Sequence, residues 1–442
     1  MAITRRQFIQ RGAVAAAAIA SPHPFLRAML GPRDAFAAGP AGAIIVVVQL
    51  QGGNDGLNTV IPIDDVVGFP QRSLYDTARP TIGIPAASLS ATEIDADPSK
   101  GNRLALHPAM TDLKALYDAG RVAVVNGVGY PSQNLSHFRS EDIWFSADPV
   151  NQFVDGWFGR YLESAFTPSD LVAVDVDSTL CPIFVAQHAN VLAVRRLSDF
   201  ALTDDPMAPD LAAKKAALDA MYAVEANAGI TNGLELQVGT AGDVLLSKID
   251  DYAAIGTGWA SHLDGQTAGV AKALKQVASI IRYDATHPAT PVGARFFHVR
   301  IGGFDNHTNQ GNVTGTQATL LQRVSKAMAS FHDDMVDLGV SNKVLMMTFS
   351  EFGRRVAENG SAGNAGTDHG AASPLFVIGD TVNGGVYGTL PALNDLDSSK
   401  NLKFQIDFRR VYATVIDKWL ATAGTHVPLL PGAPYSTLSF LT

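Results

Sequence analysis

The feature that most constrains the fold of this chain is a series of short apolar runs rich in β-branched residues. The first, Ile44–Leu50, is apolar at six of seven positions, as expected for a strand buried on both faces of a mostly parallel sheet. Similar runs follow at Val122–Val125, Leu171–Val174, Phe296–Ile301, Val344–Phe349 and Leu375–Ile378. Helical patterns alternate with them at Pro108–Ala119, Ser136–Phe145, Val154–Phe166, Gln317–Leu338 and Phe408–Ala421. This alternation predicts an α/β sandwich with helices on both faces of the sheet.

Two stretches depart from the alternation. Residues from about 204 to 284 are rich in alanine and carry apolar residues at helical spacing, without a convincing strand. We predict that they form a helical insertion or cap over one end of the sheet. Residues 62–102 are rich in Pro, Ser, Thr and Asp, and predict a long irregular excursion after the first strand. The remainder of residues 38–442 is interpreted as one large α/β domain.

The N-terminus has the features of an export signal. Arg5 and Arg6 form the twin-arginine pair of the folded-protein export route, and the apolar run Ala13–Ala20 follows them. Ala35–Ala37 supplies the small-x-small cleavage pattern, so residues 1–37 are predicted to be a signal peptide. The apolar run is shorter than the roughly 20 residues that span a bilayer. We therefore expect a periplasmic protein, exported by the twin-arginine machinery, without a stable membrane anchor in its mature form. The alternative for the run is an ordinary buried helix.

Charge and cysteine content limit the partners of the chain. Residues 1–37 contain five arginines and one aspartate, which leaves 28 basic and 41 acidic side chains in residues 38–442, a formal net charge of −13. An acidic surface disfavours nucleic acid and anionic membrane as partners. An anionic substrate would therefore need local positive charge or a metal ion. Cys181 is the only cysteine, so the chain cannot form an intrachain disulfide.

Chemically capable side chains follow four of the predicted strands. In open parallel sheets, ligands bind beyond the carboxyl ends of the strands, so residues at these positions are candidates for one common site. The candidates are Asp55 after the first strand, Ser136 and His137 after the second, Asp305 and His307 after Phe296–Ile301, and Glu351, Arg354, Arg355, Asp368 and His369 after Val344–Phe349.

Two of these groups place an aspartate and a histidine within two residues of each other, beside glycines: Asp305 with His307, and Asp368 with His369. Such a mixture of oxygen and nitrogen ligands suits zinc, manganese or iron. Each remaining candidate also has an ordinary structural interpretation. Asp55 is a suitable turn residue, Ser136 a suitable helix N-cap, and His137 a suitable packing residue. Glu351 and Arg354 could form a helical ion pair.

Taken together, these motifs resemble the DUF1501 family of twin-arginine-exported proteins, a remote relative of the alkaline phosphatase and sulfatase superfamily. The resemblance extends over nearly all of residues 38–442. It rests on the segments Gln51–Asn58, Ser136–Phe138, Asp142–Trp144, Asp305–His307, Ser350–Arg355, Gly366–Gly370 and Asp407–Arg410.

The resemblance implies a three-layer α/β/α sandwich, alkaline-phosphatase-like, with one or two metal ions at the carboxyl ends of the strands. It implies one metal site formed by Asp55, Asp368 and His369, and a second that includes Asp305 and His307. We add Glu351 as a further predicted ligand. Ser136 resembles the nucleophile, with His137 beside it, and Arg354 or Arg355 would hold a phosphate or sulfate oxygen. Zinc is the expected metal, with manganese, iron or calcium as alternatives.

Three functional hypotheses follow. The first is a metal-dependent hydrolase of phosphate or sulfate esters, acting on a small-molecule or polymer-borne anionic substrate. The second is a non-catalytic periplasmic binding protein of the same fold with a structural metal. The third is a serine hydrolase that uses Ser136, His307 or His369, and Asp305, although Ser136 lacks the Gly-x-Ser-x-Gly pattern.

Overall fold

A computed structural model describes residues 41–65, 70–94, 103–167, 170–187, 189–202, 209–223, 233–361 and 363–442. The predicted signal peptide, residues 1–37, lies outside the described residues.

The described residues form fourteen strands. In chain order these are β1 Ile44–Leu50, β2 Val60–Pro62, β3 Glu93–Ile94, β4 Leu104–Leu106, β5 Val122–Gly129, β6 Ala173–Asp175, β7 Val191–Ala193, β8 Phe296–Ile301, β9 Val344–Phe349, β10 Gly353–Arg354, β11 His369–Gly370, β12 Ser373–Ile378, β13 Gly385–Tyr387 and β14 Ile406–Asp407.

The same part of the chain forms nine α-helices. They are α1 Gln71–Ala78, α2 Thr111–Asp118, α3 His137–Ser146, α4 Trp157–Ala165, α5 Leu211–Tyr222, α6 Gly233–Ala253, α7 Gly269–Thr286, α8 Thr316–Asp337 and α9 Phe408–Val415. A π-helical turn, Ile416–Leu420, continues α9. We find no helix among the described residues with the length and apolarity needed to cross a membrane.

The central sheet has the strand order β13-β5-β12-β9-β1-β8-β6-β7, and β14 also pairs with β5. β1 lies near its middle, parallel to both neighbours: Ile45 pairs with Phe296 of β8 and with Leu345 of β9. Among the strands that the described residues form in this sheet, only β12 runs against the others, antiparallel to β5 and β9. The predicted mostly parallel sheet is therefore confirmed, with one reversed strand that the sequence pattern did not reveal.

Both faces of the sheet are buried under helices. Along β1, Val46 and Val48 face one hydrophobic cluster while Ile45 and Val47 face the other, as the two-residue period of a strand requires. The first cluster includes apolar residues of α2, α7 and α8, and the second includes residues of α3, α4 and α9. This arrangement confirms the predicted three-layer α/β/α sandwich.

The stretch 204–284 is helical as predicted, and the excursion 62–102 contains more regular structure than its composition suggested. Within residues 204–284 the described residues form α5, α6 and most of α7. α7 packs against α8 and β8, and its buried residues Val270, Leu274 and Ile281 belong to the core under the sheet rather than to a cap. In the excursion 62–102, β3 and helix α1 are formed, and β3 joins β2 and β4 in a separate antiparallel sheet.

Candidate metal centre

Five chain segments meet at one edge of the central sheet. β1, β5, β8 and β9 run in the same direction, so the loops that follow them leave the sheet at a common edge. Because β12 is antiparallel to β9, the segment 366–372 that precedes it arrives at the same edge. The reversed strand thus brings Asp368 and His369 to the loops that carry Asp305 and His137.

Three imidazole rings converge on the carboxylate of Asp305. The Nε2 atoms of His307 and His369 lie 3.0 and 3.1 Å from Oδ1 of Asp305, and 3.0 Å from each other. Nε2 of His137 lies 3.5 Å from Oδ2. The side chain of Asp305 is 45% exposed, so the cluster is open to solvent.

The opposite nitrogen of each ring faces a second partner. Nδ1 of His137 lies 2.8 Å from Oε1 of the buried Glu351, and Nδ1 of His369 lies 2.8 Å from the carbonyl oxygen of Leu135. Nδ1 of His307 lies 3.5 Å from Asp368 Oδ1. A carboxylate or carbonyl at Nδ1 fixes the tautomer that leaves the Nε2 lone pair free. A neutral ring held in this tautomer can therefore bind a cation through Nε2 beside Asp305.

Arg354 holds this edge of the sheet together. Its buried guanidinium donates to Asp305 Oδ1 at 2.6 Å and to four backbone carbonyls, those of Gly52, Gly53, Phe304 and Thr367. With its nitrogens bonded and its side chain inaccessible, Arg354 has no surface to offer a substrate oxygen. The predicted substrate contact of Arg354 is therefore wrong, and its role is structural.

Close backbone approach explains two of the glycines in the motifs. Gly52 has a φ of +118°, and a Cβ there would lie 2.4 Å from the backbone nitrogen of Asp305. A Cβ on Gly366 would lie 2.4 Å from the carbonyl oxygen of Asn306. Only glycine fits both positions, so these residues let the loop after β1 and the segment before β11 close on the segment that carries Asp305 and His307.

The electrostatic environment differs between the groups of the cluster. The hydrogen bond to Glu351 raises the pKa of His137, and the negative charges of Glu351 and Asp305 act in the same direction. Burial lowers the pKa of His369. For Asp305, burial opposes ionisation, but the hydrogen bond and charge of Arg354 outweigh it and hold the carboxyl pKa below its usual value. Asp305 is thus kept ionised beside at least one neutral ring.

These donors fit a divalent cation. One ligand atom each from His137, Asp305 and His369 lie within 4.8 Å of one another, and Nε2 of His307 touches two of these residues. Neighbouring ligand atoms of a tetrahedral zinc ion are about 3.3 Å apart, given zinc–nitrogen bonds of about 2.0–2.1 Å. The spacings of 3.0–3.5 Å around Asp305 match that value. Imidazole with one carboxylate is also a donor set that zinc accepts.

The structure joins parts of the two metal sites that the resemblance implied. His307 and Asp305, expected in one site, meet His369, expected in the other, and His137 joins them. Glu351 and Asp368 do not supply ligand atoms to this cluster; each lies behind a histidine as its Nδ1 partner. Asp368 is also held by Nδ2 of Asn359 at 2.7 Å.

Asp55 does not face the cluster. It is 2% exposed, and Arg79 donates to its Oδ2 at 2.5 Å and to its Oδ1 at 2.9 Å. Nε2 of Gln310 adds a hydrogen bond of 2.6 Å to Oδ2. Both carboxylate oxygens are thus occupied by a buried guanidinium, and the prediction of Asp55 as a metal ligand is wrong.

Ser136 lies at the rim of the cluster. It precedes His137 at the start of α3 and follows Leu135, whose carbonyl oxygen holds His369. Its side chain is exposed and makes no capping hydrogen bond. The ordinary N-cap interpretation therefore does not account for this serine, and its predicted role as a nucleophile remains open to test.

Arg355 follows Arg354, so the two side chains point to opposite sides of the extended segment. It is half-buried, and its Nε has no hydrogen-bond partner among the described residues. A contact of Arg355 with substrate stays a prediction.

Two residues of this region gave no signal in the sequence. Phe352 is buried and packs its ring against His137 and His369, with centroids 4.8 and 4.4 Å apart. Arg79, the partner of Asp55, lies in the excursion that looked irregular. Phe352 follows Glu351 in the chain, and this position could have suggested that it lies at the site. No neighbouring residue in the sequence indicates that Arg79 pairs with Asp55.

Comparison with known proteins agrees with the resemblance. Residues 285–428 match a family model described as "Protein of unknown function (DUF1501)". The predicted family resemblance is thus confirmed over this part of the chain, which includes Asp305, His307 and His369 but not His137. Among curated proteins, none matches the sequence.

Two solved structures are similar in fold. The lipoteichoic acid synthase LtaP from Listeria monocytogenes is 10% identical over 85% of this chain and 77% of its own, with a TM-score of 0.32. A protein in the alkaline phosphatase superfamily from Vibrio parahaemolyticus is 9% identical over 87% of this chain and 71% of its own, with a TM-score of 0.35. Superposition at these TM-scores is too loose to transfer a residue role or an activity.

Proposed function

We propose that this chain is an exported, metal-dependent hydrolase of phosphate or sulfate esters. The observation that carries the proposal is the convergence of three imidazole Nε2 atoms on the ionised Asp305 at the carboxyl edge of the sheet. His137, His307, His369 and Asp305 would hold one divalent cation, with zinc the first choice. When bound, the cation supplies Lewis-acid polarisation of a substrate oxygen and lowers the pKa of a nearby hydroxyl or water.

The remaining steps belong to side chains of the protein. The Ser136 hydroxyl, free of a capping bond, would lose its proton to solvent and attack the phosphorus or sulfur atom, while the bond from that atom to the ester oxygen breaks and the alcohol leaves. Water would then hydrolyse the serine ester and release phosphate or sulfate. Glu351 and the carbonyl of Leu135 hold the rings of His137 and His369 in place, and Arg354 keeps Asp305 ionised. Arg355, which is half-buried, would bind an ester oxygen.

The substrate and location are part of this proposal. An anionic ester, free or carried on a polymer, would be attracted locally by the cation and Arg355, in spite of the overall charge of −13 on residues 38–442. We place the protein in the periplasm after export by the twin-arginine machinery.

Replacing Ser136 tests the nucleophile. In Ser136→Ala we expect at least a 100-fold loss of turnover on p-nitrophenyl phosphate or sulfate, with metal content unchanged. Because the serine makes no capping bond, the free energy of unfolding should change by less than about 0.5 kcal/mol. Steady-state kinetics, elemental analysis and urea unfolding measure the three quantities. Full turnover in the variant would show that water, and not Ser136, is the nucleophile.

Metal affinity should fall as the pH falls. Protons compete with a cation for Nε2, and the raised pKa of His137 makes this competition begin at a higher pH than for an ordinary histidine. In Glu351→Gln the pKa of His137 should fall, which moves the competition to lower pH. Loss of the negative charge behind Nδ1 should also weaken affinity at pH 8 by about 10- to 100-fold.

Chelator competition at pH 5.5–8.5 measures the metal affinity of both proteins as a function of pH. NMR titration of His137 in metal-free protein measures the change in its pKa. Identical pH profiles for wild type and Glu351→Gln would contradict the assigned role of Glu351.

A binding protein with a structural metal is the second candidate. The observation that favours it is the ion pair between Arg354 and Asp305. An Asp305 carboxylate fixed in this way suits a structural metal site as well as a catalytic one. Its signature is stoichiometric metal without turnover on phosphate or sulfate esters.

A further inference from the structure

A cavity opens at the opposite edge of the sheet, where the parallel strands begin. It is lined by Ile44 at the start of β1, Val172 just before β6, Arg295 just before β8 and Lys343 just before β9. Its volume of about 690 Å³ is in the range of small-molecule sites, about 300–1,000 Å³. The candidate metal centre lies beyond the other ends of the same strands, so the two sites are separate.

Two cations at this cavity have no acceptor. Among the described residues, neither the guanidinium of Arg295 nor the ammonium of Lys343 donates a hydrogen bond or lies in an ion pair. The guanidinium of Arg295 lies over the ring of Phe166, 4.8 Å from its centroid. Burial lowers the pKa of Arg295, because the attraction of Tyr161 and Asp170 does not replace the lost water. A half-buried guanidinium held on an aromatic face favours an anionic partner.

The two acids at the cavity are already satisfied. Both oxygens of Asp284 accept backbone hydrogen bonds, from Val292 at 2.7 Å and Gly293 at 2.9 Å. Asp170 accepts two hydrogen bonds of 2.7 Å from Thr167. Lys248 adds a third cation to the lining, and it is paired with Asp251 at 3.4 Å. The cations therefore outnumber the acids, and the acids have backbone or hydroxyl partners of their own.

The rest of the lining is largely apolar. Seven of the larger apolar side chains, from four parts of the chain, contribute to it: Ile44, Phe166, Leu171, Val172, Ile281, Val292 and Val340. An apolar wall beside unpaired cations is complementary to a molecule with a hydrocarbon body and one anionic head group.

We propose that this cavity binds a small amphiphilic anion, with its carboxylate or phosphate on Arg295 and Lys343 and its hydrocarbon chain against the apolar wall. The site is independent of the proposed hydrolase activity. It gives the protein a second ligand, at the amino edge of the sheet.

Isothermal titration of the full chain with octanoate and with octyl phosphate tests the proposal and distinguishes the two head groups. We expect saturable binding of at least one, weakened tenfold or more in both Arg295→Met and Lys343→Met. Lys343 is exposed, so its variant reports on binding even if Arg295→Met loses stability. Lys326→Met, an exposed lysine of α8 outside the cavity, serves as the matched control and should bind like wild type.

Octan-1-ol tests the need for the head group, and inorganic phosphate tests the need for the chain; both should bind at least tenfold more weakly. The proposal is overturned if neither amphiphile binds, if both cavity variants bind like wild type, or if inorganic phosphate binds as tightly as octyl phosphate.

Discussion

In Asp305→Asn we expect the purified protein to lose its metal and its turnover together. Asp305 is the one carboxylate that the three imidazole Nε2 atoms share, and the amide removes the negative charge that offsets a divalent cation. The amide keeps the size of the side chain and an oxygen for Arg354, so the fold should persist. We expect at least a 1,000-fold drop in kcat/KM, equivalent to about 4 kcal/mol. Steady-state kinetics and elemental analysis of the same preparation measure the turnover and the metal content.

Asp368→Asn is the matched control from the same site. Asp368 lies behind His307, 3.5 Å from its Nδ1, so its loss should weaken metal binding or activity by only about 10- to 100-fold. If Asp368→Asn were as damaging as Asp305→Asn, Asp368 would have to be a direct ligand. If Asp305→Asn kept its metal, the centre would not be built around Asp305.

Breaking the Asp55–Arg79 pair should cost more stability than any other single change considered. Both side chains are buried, and removal of one leaves the other charge without a partner. We expect Arg79→Met or Asp55→Asn to lower the free energy of unfolding by about 3–5 kcal/mol. The double variant should lose less than the sum of the two, because it leaves no unpaired charge. Urea unfolding of all four proteins gives the coupling free energy.

The same variants distinguish a structural Asp55 from a metal ligand. With Arg79 occupying both of its oxygens, Asp55→Asn should retain the full complement of metal in whatever fraction of protein folds. Loss of metal from a variant of wild-type stability would restore Asp55 to the metal site.

The layered fold was predictable from the sequence because its strands are buried on both faces. Runs such as Ile44–Leu50 and Val344–Phe349 are apolar without interruption or nearly so, and they coincide with β1 and β9. The reversal of β12 was not predictable from its residues. Leu375–Ile378 would be equally apolar in a parallel strand, and its direction is set by the chain path before it.

The candidate site was predictable in composition but not in pairing. The carboxyl-edge rule brought Asp305, His307 and His369 together, since each follows or precedes a strand at that edge. The rule could not exclude Asp55 from the site. The sequence around an aspartate that follows β1 does not indicate whether its carboxylate binds a cation or pairs with Arg79. Arg354 was misassigned for a similar reason. Its contacts are backbone carbonyls of distant loops, which leave no trace in sequence spacing.

The most direct test of the central claim is the metal content of the purified wild-type protein after export processing. One equivalent of zinc, manganese, iron or calcium per chain, removed by a chelator and restored on adding the metal back, is the predicted result. No bound metal, either as purified or after reconstitution at pH 8, would contradict the assignment of His137, Asp305, His307 and His369 as a metal centre.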